Sequence, residues 1–523
     1  MDSPRLWLAL IGLVSYVLTK IFSRLYFHPL SKIPGPKLAA ATHLYEWYYD
    51  IILVGKYLLE IERMHEKYGP IVRINPREVH ISDPDFYDEI YASSAHKRNK
   101  DKETVEFAGV PLSTLATVDH DHHRFRRGLL SNFFSKRSIR ELSRLVEEKV
   151  FKLLGRFEEF HQQQKVVRVD DGFSALTSDI ITHYCYGTSW GYLDDEDMRS
   201  DVRQVANDIT RLVHVNRAFP SLANMARKLP LWVLYLIQPG RSAVLDLQTV
   251  IYEQSKQTLH GEKYDIGHSD ANGKHTTIYD QLNDPRIPAE ERTLQRLQDE
   301  GLLLLAAGTE TTARGLAVAC FHIASDDRVR ARLRDELRAV LPKPDSHVTW
   351  AELERLPYLT NNPPQTGTVN EALRLGAFVT LRSPRIAPNE TLVYKDYAIP
   401  PGVSNTASSI SRLSSSSYFG HKNPTIFPEP EKFSPERWIL PEQTHKHLSK
   451  YLTSFSHGSR MCLGLHLAYL ELYLTIAYFV RRFDLELIDT TAEDMKIVQD
   501  MGLGYTRRGE LSVFAKIVRI YTD

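Results

Sequence analysis

The sequence predicts a mainly α-helical protein with small β-sheets, an α+β architecture. Apolar residues recur at helical spacing, with charged residues between them, over Arg140–Phe160 and Asp327–Leu341. Near the beginning, Ile71–Ile74 and Val79–Ile81 have the pattern of two strands joined by a turn, and Leu511–Ile520 is a strand-like run at the end. Many helices with a small sheet at either end are typical of an α+β fold.

Composition limits the function. Lys and Arg total 65, as do Asp and Glu, and a net charge of zero gives no reason to expect nucleic acid as a partner. The three cysteines, Cys185, Cys320 and Cys462, cannot form a disulfide framework, which points to a reducing compartment. No linker divides the 523 residues, although this length often forms two domains.

The first segment predicts a membrane anchor over residues 1–27. Leu6–Thr19 is uncharged, a length that also suits the apolar region of a signal peptide. No small-x-small cleavage site follows, and Lys20 and Arg24 can extend the usable apolar length by snorkelling. Since Arg5 precedes the run and four basic residues follow it, the positive-inside rule places the bulk of the chain in the cytosol.

Residues 28–40 form a proline-rich hinge. Its core is His28–Pro36 (HPLSKIPGP), and because prolines fix φ, we expect a stiff, non-helical spacer. The remainder, residues 41–523, is predicted to be one catalytic domain.

Asp119–Arg127 (DHDHHRFRR) is dense in possible metal ligands. Neighbouring residues on a helix do not share a face, so the segment favours a solvated helix start over a metal site.

The stretch Gly301–Ala313 (GLLLLAAGTETTA) predicts a helix through the core. It is almost entirely apolar and contains one acid, Glu310, and the segment from about Pro288 to Ile323 is long enough to cross a domain. Glu310 and Arg314 argue against a membrane span. A buried carboxylate is costly unless it is paired or functional.

The stretch Phe455–Gly464 (FSHGSRMCLG) carries the strongest chemical signal. Cys462 lies between Gly458 and Gly464, two residues after Arg460, and precedes an apolar run, Leu465–Tyr473, that predicts a helix. A thiol beside backbone N–H groups and a helix N-terminus has a lowered pKa and is suited to metal ligation. The alternative for an isolated cysteine is a small buried apolar residue.

The pattern Phe-x-x-Gly-x-Arg-x-Cys-x-Gly resembles the haem-ligand loop of the cytochrome P450 family. The resemblance implies a cytochrome P450 fold with an N-terminal transmembrane anchor helix and haem b as cofactor. Cys462 would be the axial thiolate of the iron, with Phe455, Gly458, Arg460 and Gly464 around the cofactor.

Further positions match the family's cofactor-binding residues. His123 and Arg127 have the spacing of a Trp-x-x-x-Arg motif that holds a haem propionate, with histidine in place of tryptophan. Arg385 and Arg460 match arginines used for the same purpose. An imidazole can donate a hydrogen bond to a carboxylate, and a guanidinium fork suits one.

Ala307–Thr312 (AGTETT) resembles the family's Ala-Gly-x-Asp/Glu-Thr-Thr signature. The resemblance implies that the small residues leave room for dioxygen and that Glu310 and Thr311 are catalytic, relaying protons to it. The alternative for Thr311 is a hydrogen bond back to its own helix.

Glu371 and Arg374 are three residues apart, on one helix face, and Phe433–Trp438 (FSPERW) supplies Arg437. By resemblance, these three charged side chains form a structural brace behind the cysteine loop.

Two segments, 361–367 and 404–414, depart from the family pattern. The first contains two prolines, which cannot continue a helix, and the second is rich in serine. Thr368 has capping-box spacing to Glu371 and would compete for that glutamate. We interpret the segments as short loops or as translated intron sequence absent from a functional transcript; a cDNA that encodes both would refute the second interpretation.

The predicted function is a haem-thiolate monooxygenase of fungal secondary metabolism, similar to the trichodiene-oxygenase-like group through Phe27–Pro36. It would use O2 and electrons from NADPH-cytochrome P450 reductase, steered by Lys136 and Arg137, with cytochrome b5 as an additional candidate donor. The substrate would be an apolar small molecule, a terpenoid, polyketide or polyketide–peptide hybrid, and Ala377–Thr380 would line its pocket. The location would be the endoplasmic reticulum membrane, with a single span and a cytosolic catalytic domain.

Two alternatives stay open. A haem-thiolate isomerase or dehydratase needs no reductase, although such relatives typically lose the acid–threonine pair that is present here as Glu310 and Thr311. An inactive haem-binding membrane protein would follow if the two departing segments disrupt the site.

Overall fold

The computed structural model describes residues 3–105, 109–226, 229, 233, 242–261, 277–359, 367–376, 378–402, 411–439 and 448–522. Within these ranges the chain is mainly helical and carries four small sheets. The α-helices are Ser3–Phe22, Lys37–Ala41, Leu44–Trp47, Tyr57–Tyr68, Tyr87–Ile90, Lys102–Val105, His120–Ser131, Lys136–Glu141, Ser143–Gln162, Val169–Tyr186, Asp201–Arg211, Val213–Ala218, Pro220–Ala226, Ser242–His260, Ile278–Leu282, Leu294–Ser325, Asp327–Arg338, Trp350–Leu353, Gly367–Gly376, Ser417–His421 and Leu465–Arg482.

The strands are short and pair over long sequence distances. They are β1 Ile71–Arg73, β2 Glu78–Ile81, β3 Asn99–Lys100, β4 Val167–Arg168, β5 Arg385–Ile386, β6 Leu392–Tyr394, β7 Tyr397–Ile399, β8 Arg412–Ser414, β9 Phe483–Leu487, β10 Gln499–Asp500, β11 Gly504–Tyr505 and β12 Phe514–Ile520. The largest sheet has the order β1-β2-β8-β5-β3, in which β2 and β8 are parallel. A second sheet has the order β4-β12-β9, and β6-β7 and β10-β11 are antiparallel pairs. The predicted α+β architecture is confirmed.

One helix, Leu294–Ser325, is the axis of the core, and we call it the long helix. It packs against Val169–Tyr186, against Gly367–Gly376 (the brace helix) and against Leu465–Arg482 (the cysteine-loop helix). It begins at Leu294 and not near Pro288, because the Thr293 side chain accepts a hydrogen bond from the Arg296 N–H and caps the helix there.

Other predicted boundaries need correction. The helix expected over Arg140–Phe160 is two helices that meet at Leu142. The last strand begins at Phe514 and not at Leu511, because Val513 is bonded outside the sheet. Its N–H donates to Asp170 Oδ1 at 2.8 Å, and its carbonyl accepts from the Val169 N–H at 3.0 Å.

The two departing segments lie mostly outside the described residues, which omit 360–366 and 403–410. The chain meets itself across the first gap, where the Thr368 N–H and hydroxyl both donate to the Tyr358 carbonyl at 2.9 Å. Thr368 therefore does not cap Glu371, and the expected competition for that glutamate is wrong. In the second segment, Arg412–Ser414 is strand β8 and not loop.

The N-terminal helix stands apart from the core. Arg5–Phe27 has a mean hydropathy of 1.8, is 0% buried, and is the one helix of the described ranges that is long and apolar enough to cross a membrane. It is joined to the body where Arg24 Nη1 donates to the Ala41 carbonyl and Arg73 Nη1 donates to the Arg24 carbonyl. The segment is a candidate membrane anchor.

Two helical glycines provide a test of core packing. A Cβ at Gly301 of the long helix would lie 1.9 Å from the Tyr279 hydroxyl and 2.6 Å from the Tyr186 hydroxyl, whereas one at Gly155 would meet nothing within 4 Å. We expect Gly301→Ala to lower stability by about 1–3 kcal/mol through overpacking. The matched Gly155→Ala should be neutral or stabilising by up to about 1 kcal/mol.

Thermal unfolding of the two variants, followed by circular dichroism, measures the difference. A midpoint for Gly301→Ala equal to or above that of Gly155→Ala would show that the long helix does not pack as described.

Candidate active site

The cysteine loop folds back on itself and is fixed by one glycine. Gly458 has φ of +73°, and a Cβ there would lie 2.1 Å from the carbonyl oxygens of Tyr91 and Ala92. The Ser459 N–H donates to the Ala92 carbonyl at 3.0 Å, and the Cys462 N–H donates to the Phe455 carbonyl at 2.8 Å. Only glycine fits this close approach of two backbones without strain.

Cys462 lies at the wall of an internal space. Its thiol is accessible although protein surrounds it, and a Cβ at Gly464 would meet nothing within 4 Å. Burial raises the pKa of the Cys462 thiol, and the Gly464 N–H and the Arg127 guanidinium oppose this. The N–H and the guanidinium are the groups that would favour the thiolate.

The predicted cofactor-binding cations converge. Burial, followed by the charges of Arg460, Lys100, Arg127 and Arg385, lowers the pKa of His123 to about 2. Burial and Arg385 likewise lower the pKa of Arg460 to about 9. We call the four cations, Lys100, Arg127, Arg385 and Arg460, the cation cluster, and His123 lies among them as a neutral imidazole.

Buried charges of one sign are costly unless an opposite charge accompanies them. Lys100, Arg385 and His123 are at most 7% exposed. Burial, Arg385 and Arg460 lower the pKa of Lys100 well below its usual value. Within the described residues, the one acid that acts on Arg460 is Asp119. The cluster therefore fits a dianionic group such as the two propionates of haem.

Lys100 was missed by sequence reasoning. Its place in the site depends on a pairing between distant segments: β3 pairs antiparallel with β5, and Lys100 lies opposite Arg385. No local sequence pattern around Lys100 indicates that Arg385 is its partner, so Lys100 could be identified only from the pairing of the strands.

The arginines of the cluster also donate hydrogen bonds to backbone carbonyls. Arg460 donates to the carbonyls of Arg98, Thr117, Val118 and Asp119 at 2.8–3.2 Å. Arg127 Nη1 donates to the Met461 carbonyl at 2.7 Å. Arg460 thus holds the cysteine loop against the 98–119 segment, and Arg127 holds it against the helix His120–Ser131.

The helix that carries His123 and Arg127 differs from the prediction. It spans His120–Ser131, and the Asp119 side chain caps it by accepting from the His122 N–H. It is not a solvated helix start, because His120, His123 and Arg126 are buried. Among the described residues, no group of three or more His, Cys, Asp or Glu side chains is arranged to hold a metal ion.

On the long helix, the neighbouring residues Thr311 and Glu310 have different surroundings. Ala307 is exposed and Gly308 and Thr311 are half-buried, so this part of the helix borders an internal space, and the Thr311 hydroxyl donates to the Ala307 carbonyl at 2.8 Å. Gly308 serves packing as well, because a Cβ there would lie 2.9 Å from Ile181. Glu310 is 1% exposed, and Arg314 Nε donates to its Oε1 at 2.8 Å.

The brace brings its three charged side chains together. Arg374 donates to both Glu371 oxygens at 2.8 and 2.9 Å, and Arg437 Nε donates to Oε1 at 2.9 Å. The Trp438 indole and the Ser434 N–H donate to the same carboxylate at 2.8 and 2.9 Å. Trp438 ends the motif Phe433–Trp438, but the sequence pattern did not indicate this hydrogen bond.

The brace reaches the cysteine loop through two hydrogen bonds. The Ser454 hydroxyl donates to the Leu373 carbonyl at 2.9 Å, and the Thr453 N–H donates to His421 Nε2 at 3.0 Å. The His421 carbonyl in turn accepts from Arg374 at 2.9 Å. At the end of the loop, the Phe455 ring contacts Tyr469 of the cysteine-loop helix.

The segment expected to line the substrate pocket is apolar where it is described. Val379 is 50% exposed and pairs with Leu503, and Thr380 is buried with its hydroxyl donating to Asp500 Oδ1 at 2.7 Å. Ala377 lies outside the described residues.

Comparison with known proteins identifies the class. The Cytochrome P450 family profile matches residues 47–510, and the chain belongs to this family. It has the P450 fold and is a P450 monooxygenase, an oxidoreductase. Membership implies a haem-iron thiolate cofactor, an electron-transfer partner, O2 and an organic substrate.

Curated relatives match almost the whole chain. The conidiogenone synthase PchP450 of Penicillium rubens is 44% identical over 512 residues, which cover 98% of this chain and 99% of the relative. The cytochrome P450 monooxygenase aflU of Aspergillus parasiticus is 41% identical over 520 residues, 99% of each chain. The cytochrome P450 monooxygenase TRI4 of Fusarium sporotrichioides is 42% identical over 494 residues, 94% of this chain and 91% of that one.

The brace yields a prediction. Glu371→Ala leaves Arg374, which is 1% exposed, buried without its carboxylate and should cost about 3–5 kcal/mol. The matched Glu148→Ala removes a surface partner of Arg144, with a carboxylate 52% exposed, and should cost at most about 0.5 kcal/mol. The reduced carbon monoxide difference spectrum typical of thiolate ligation measures the amount of folded holoprotein. Equal amounts of folded holoprotein from the two variants would contradict the structural role of the brace.

The cation cluster yields a second prediction. Lys100→Met removes a cation from the cluster, so it should speed haem loss about tenfold while raising the thermal midpoint of the haem-free protein. Lys97→Met, at a position 49% exposed and paired with Asp121, is the control and should change neither. Transfer of haem to apomyoglobin measures the loss. Slower or unchanged loss from Lys100→Met would exclude Lys100 from cofactor binding.

Proposed function

We propose that the chain is a membrane-anchored haem-thiolate monooxygenase of fungal secondary metabolism in which Cys462 is the axial ligand of haem b. The observation that carries the proposal is an accessible thiol on a braced loop beside a cluster of buried cations. Haem held there would supply the activation of dioxygen and the insertion of one oxygen atom into a C–H bond. The relatives are fungal P450 proteins over nearly the full length, which supports the assignment to secondary metabolism.

The chain's own residues divide the work by position. His123, Arg127, Arg385, Arg460 and Lys100 would hold the propionates, and the bonds of Arg127 and Arg460 to loop carbonyls would keep the cysteine loop fixed during turnover. Phe455, Gly458 and Gly464 would shape the loop so that the thiol faces the iron. The Gly464 N–H would keep negative charge on the sulfur.

On the opposite side, Glu310 and Thr311 are proposed as the catalytic pair. The Thr311 hydroxyl can donate toward the dioxygen side in exchange for its present bond to Ala307. Glu310 is a buried acid on the same turn and would supply the protons that the reaction consumes.

The substrate is proposed to be an apolar small molecule, a terpenoid, polyketide or polyketide–peptide hybrid. The exposed Val379 and Ala307 offer apolar surface to it.

Electrons are proposed to come from NADPH-cytochrome P450 reductase, with cytochrome b5 as an additional donor. The helix Lys136–Glu141 contacts the cysteine-loop helix, so Arg137, which is 93% exposed, and Lys136, which is paired with Glu354, present positive charge close to the cysteine toward an acidic partner.

The proposed location is the endoplasmic reticulum membrane, with residues 1–27 as a single span, 28–40 as hinge and 41–523 as the cytosolic catalytic domain. The exposed apolar helix and the excess of basic residues after it support this orientation.

An isomerase or dehydratase is less favoured because Glu310 and Thr311 are both present. The ground for an inactive variant is weakened because the brace of Glu371, Arg374 and Arg437 forms directly after residues 360–366.

The experiment is oxidation of a panel of terpene hydrocarbons, aromatic polyketides and polyketide–peptide hybrids by the full-length chain co-expressed with a fungal reductase. We expect a product that carries one atom from isotopically labelled dioxygen and requires NADPH. Turnover without NADPH and O2 would favour the isomerase or dehydratase, and absence of haem uptake would favour the inactive protein.

The catalytic pair yields a prediction. Thr311→Ala should leave substrate binding intact but divert reducing equivalents to hydrogen peroxide, lowering product per NADPH about tenfold. Thr349→Ala, an exposed helix cap distant in sequence, is the control. Unchanged coupling in Thr311→Ala would remove this threonine from the reaction.

A further inference from the structure

Glu310 faces two different arginines, one through each oxygen. Arg314 Nε donates to Oε1 at 2.8 Å. Arg203 Nε lies 3.5 Å from Oε2, and neither of these two atoms has a hydrogen-bond partner among the described residues. An acid that relays protons must exchange them with solvent, and Glu310 itself is 1% exposed.

The fork of Arg203 is turned away from Glu310. Its Nη1 donates to Asp171 Oδ1 at 2.5 Å, and its Nη2 donates to Asp170 Oδ2. Two carboxylates at the start of the helix Val169–Tyr186 therefore keep the planar end of this arginine occupied, so that only its Nε is directed at the relay acid.

The two aspartates differ in what else they do. Asp170 is 3% exposed at its side chain and also accepts from the Val513 N–H and from Arg168 Nε. The Asp171 side chain is 25% exposed. Of the three carboxylates that face Arg203, which are Asp170, Asp171 and Glu310, Asp171 is therefore the most exposed to solvent.

Asp171 titrates just below neutrality. Burial raises its pKa to about 6, the Arg203 charge opposes the rise, and the Asp170 charge adds to it. Asp171 is thus ionised above about pH 6 and neutral below it. The charged groups that face it, from every element packed around it, are Arg168 on β4, Arg203 on the helix Asp201–Arg211, Asp170 on its own helix and Glu310 on the long helix, with Glu510 reached through Arg168.

We propose that Asp171 is a positioning residue for proton delivery, which when ionised holds the Arg203 fork away from Glu310 and leaves Glu310 Oε2 free to take up a proton. When Asp171 is protonated, the Arg203 guanidinium loses one of its two carboxylate partners and moves toward Glu310. The Glu310 carboxylate is then paired with both Arg203 and Arg314. The proposal rests on the relay role proposed for Glu310. Each relay step moves one proton from solvent to Oε2 and on toward Thr311 and regenerates the carboxylate, so that two such steps supply the two protons of one catalytic cycle; no other bond changes in the relay.

The test uses the full-length holoprotein with reductase and, as probe, the hydrocarbon of the panel above that gives the largest shift of the haem to high spin. Turnover is measured as NADPH consumption above that of reductase alone, against pH and in deuterated water. We expect Asp171→Asn to lower kcat about tenfold at neutral pH, to abolish the acid limb near pH 6, to raise the solvent isotope effect and to leave KM unchanged.

Matched variants separate positioning from folding. Asp171→Glu should keep an acid limb, displaced from that of the wild type. Asp197→Asn should behave as wild type, because Asp197 is another exposed aspartate, 46% accessible and paired with Lys165 at 2.9 Å, outside the cluster. In a Glu310→Gln background, Asp171→Asn should have no further effect. If Asp171→Asn fails to bind haem, Asp171→Glu decides, and an acid limb at the wild-type position overturns the proposal.

The outcomes distinguish the proposed role of Asp171 from the proposed relay role of Glu310. A wild-type rate and acid limb in Asp171→Asn, together with slow turnover in Glu310→Gln, would overturn the role of Asp171 alone. Wild-type turnover in Glu310→Gln would overturn the relay itself, and with it this proposal.

Discussion

One buried carboxylate organises the cysteine side of the protein. Glu371 is 0% exposed and accepts five hydrogen bonds: two from Arg374 and one each from Arg437, Trp438 and the Ser434 N–H. The brace helix and the segment Phe433–Trp438 are far apart in sequence, and this group ties them together. A charge so deeply buried is tolerable only because its partners surround it, so removing one of them leaves part of the cost of burial uncompensated.

The cofactor side has the opposite electrostatic character. The cation cluster, together with the accessible thiol of Cys462, collects positive charge around an internal space, while the brace behind it is locally neutralised. The contrast is physically meaningful, since stable interiors pair their charges and binding sites leave them unpaired for a ligand. The guanidinium of Arg460 links the two regions by fastening the loop to the 98–119 segment.

Sequence predicted the parts of this site that depend on spacing within one element. The adjacent Glu310 and Thr311 and the pair Glu371 and Arg374 are local patterns, and the structure describes each pair on the expected helix. It could not predict contacts made by strand pairing or side-chain packing between distant segments. The pairing of Lys100 with Arg385 and the position of the Arg203 guanidinium between Asp170 and Glu310 are of this kind. Boundaries failed where a single side chain decided them, as Thr293 does for the long helix.

The central claim is that the Cys462 thiolate is the ligand of the haem iron, and the reduced carbon monoxide difference spectrum of the full-length chain tests it most directly. We expect the absorbance typical of thiolate ligation from the wild type and from Cys185→Ala, whose thiol is fully buried. Cys462→His should retain haem and show the spectrum of a histidine-ligated protein instead. A thiolate-type spectrum that survives in Cys462→His would contradict the account.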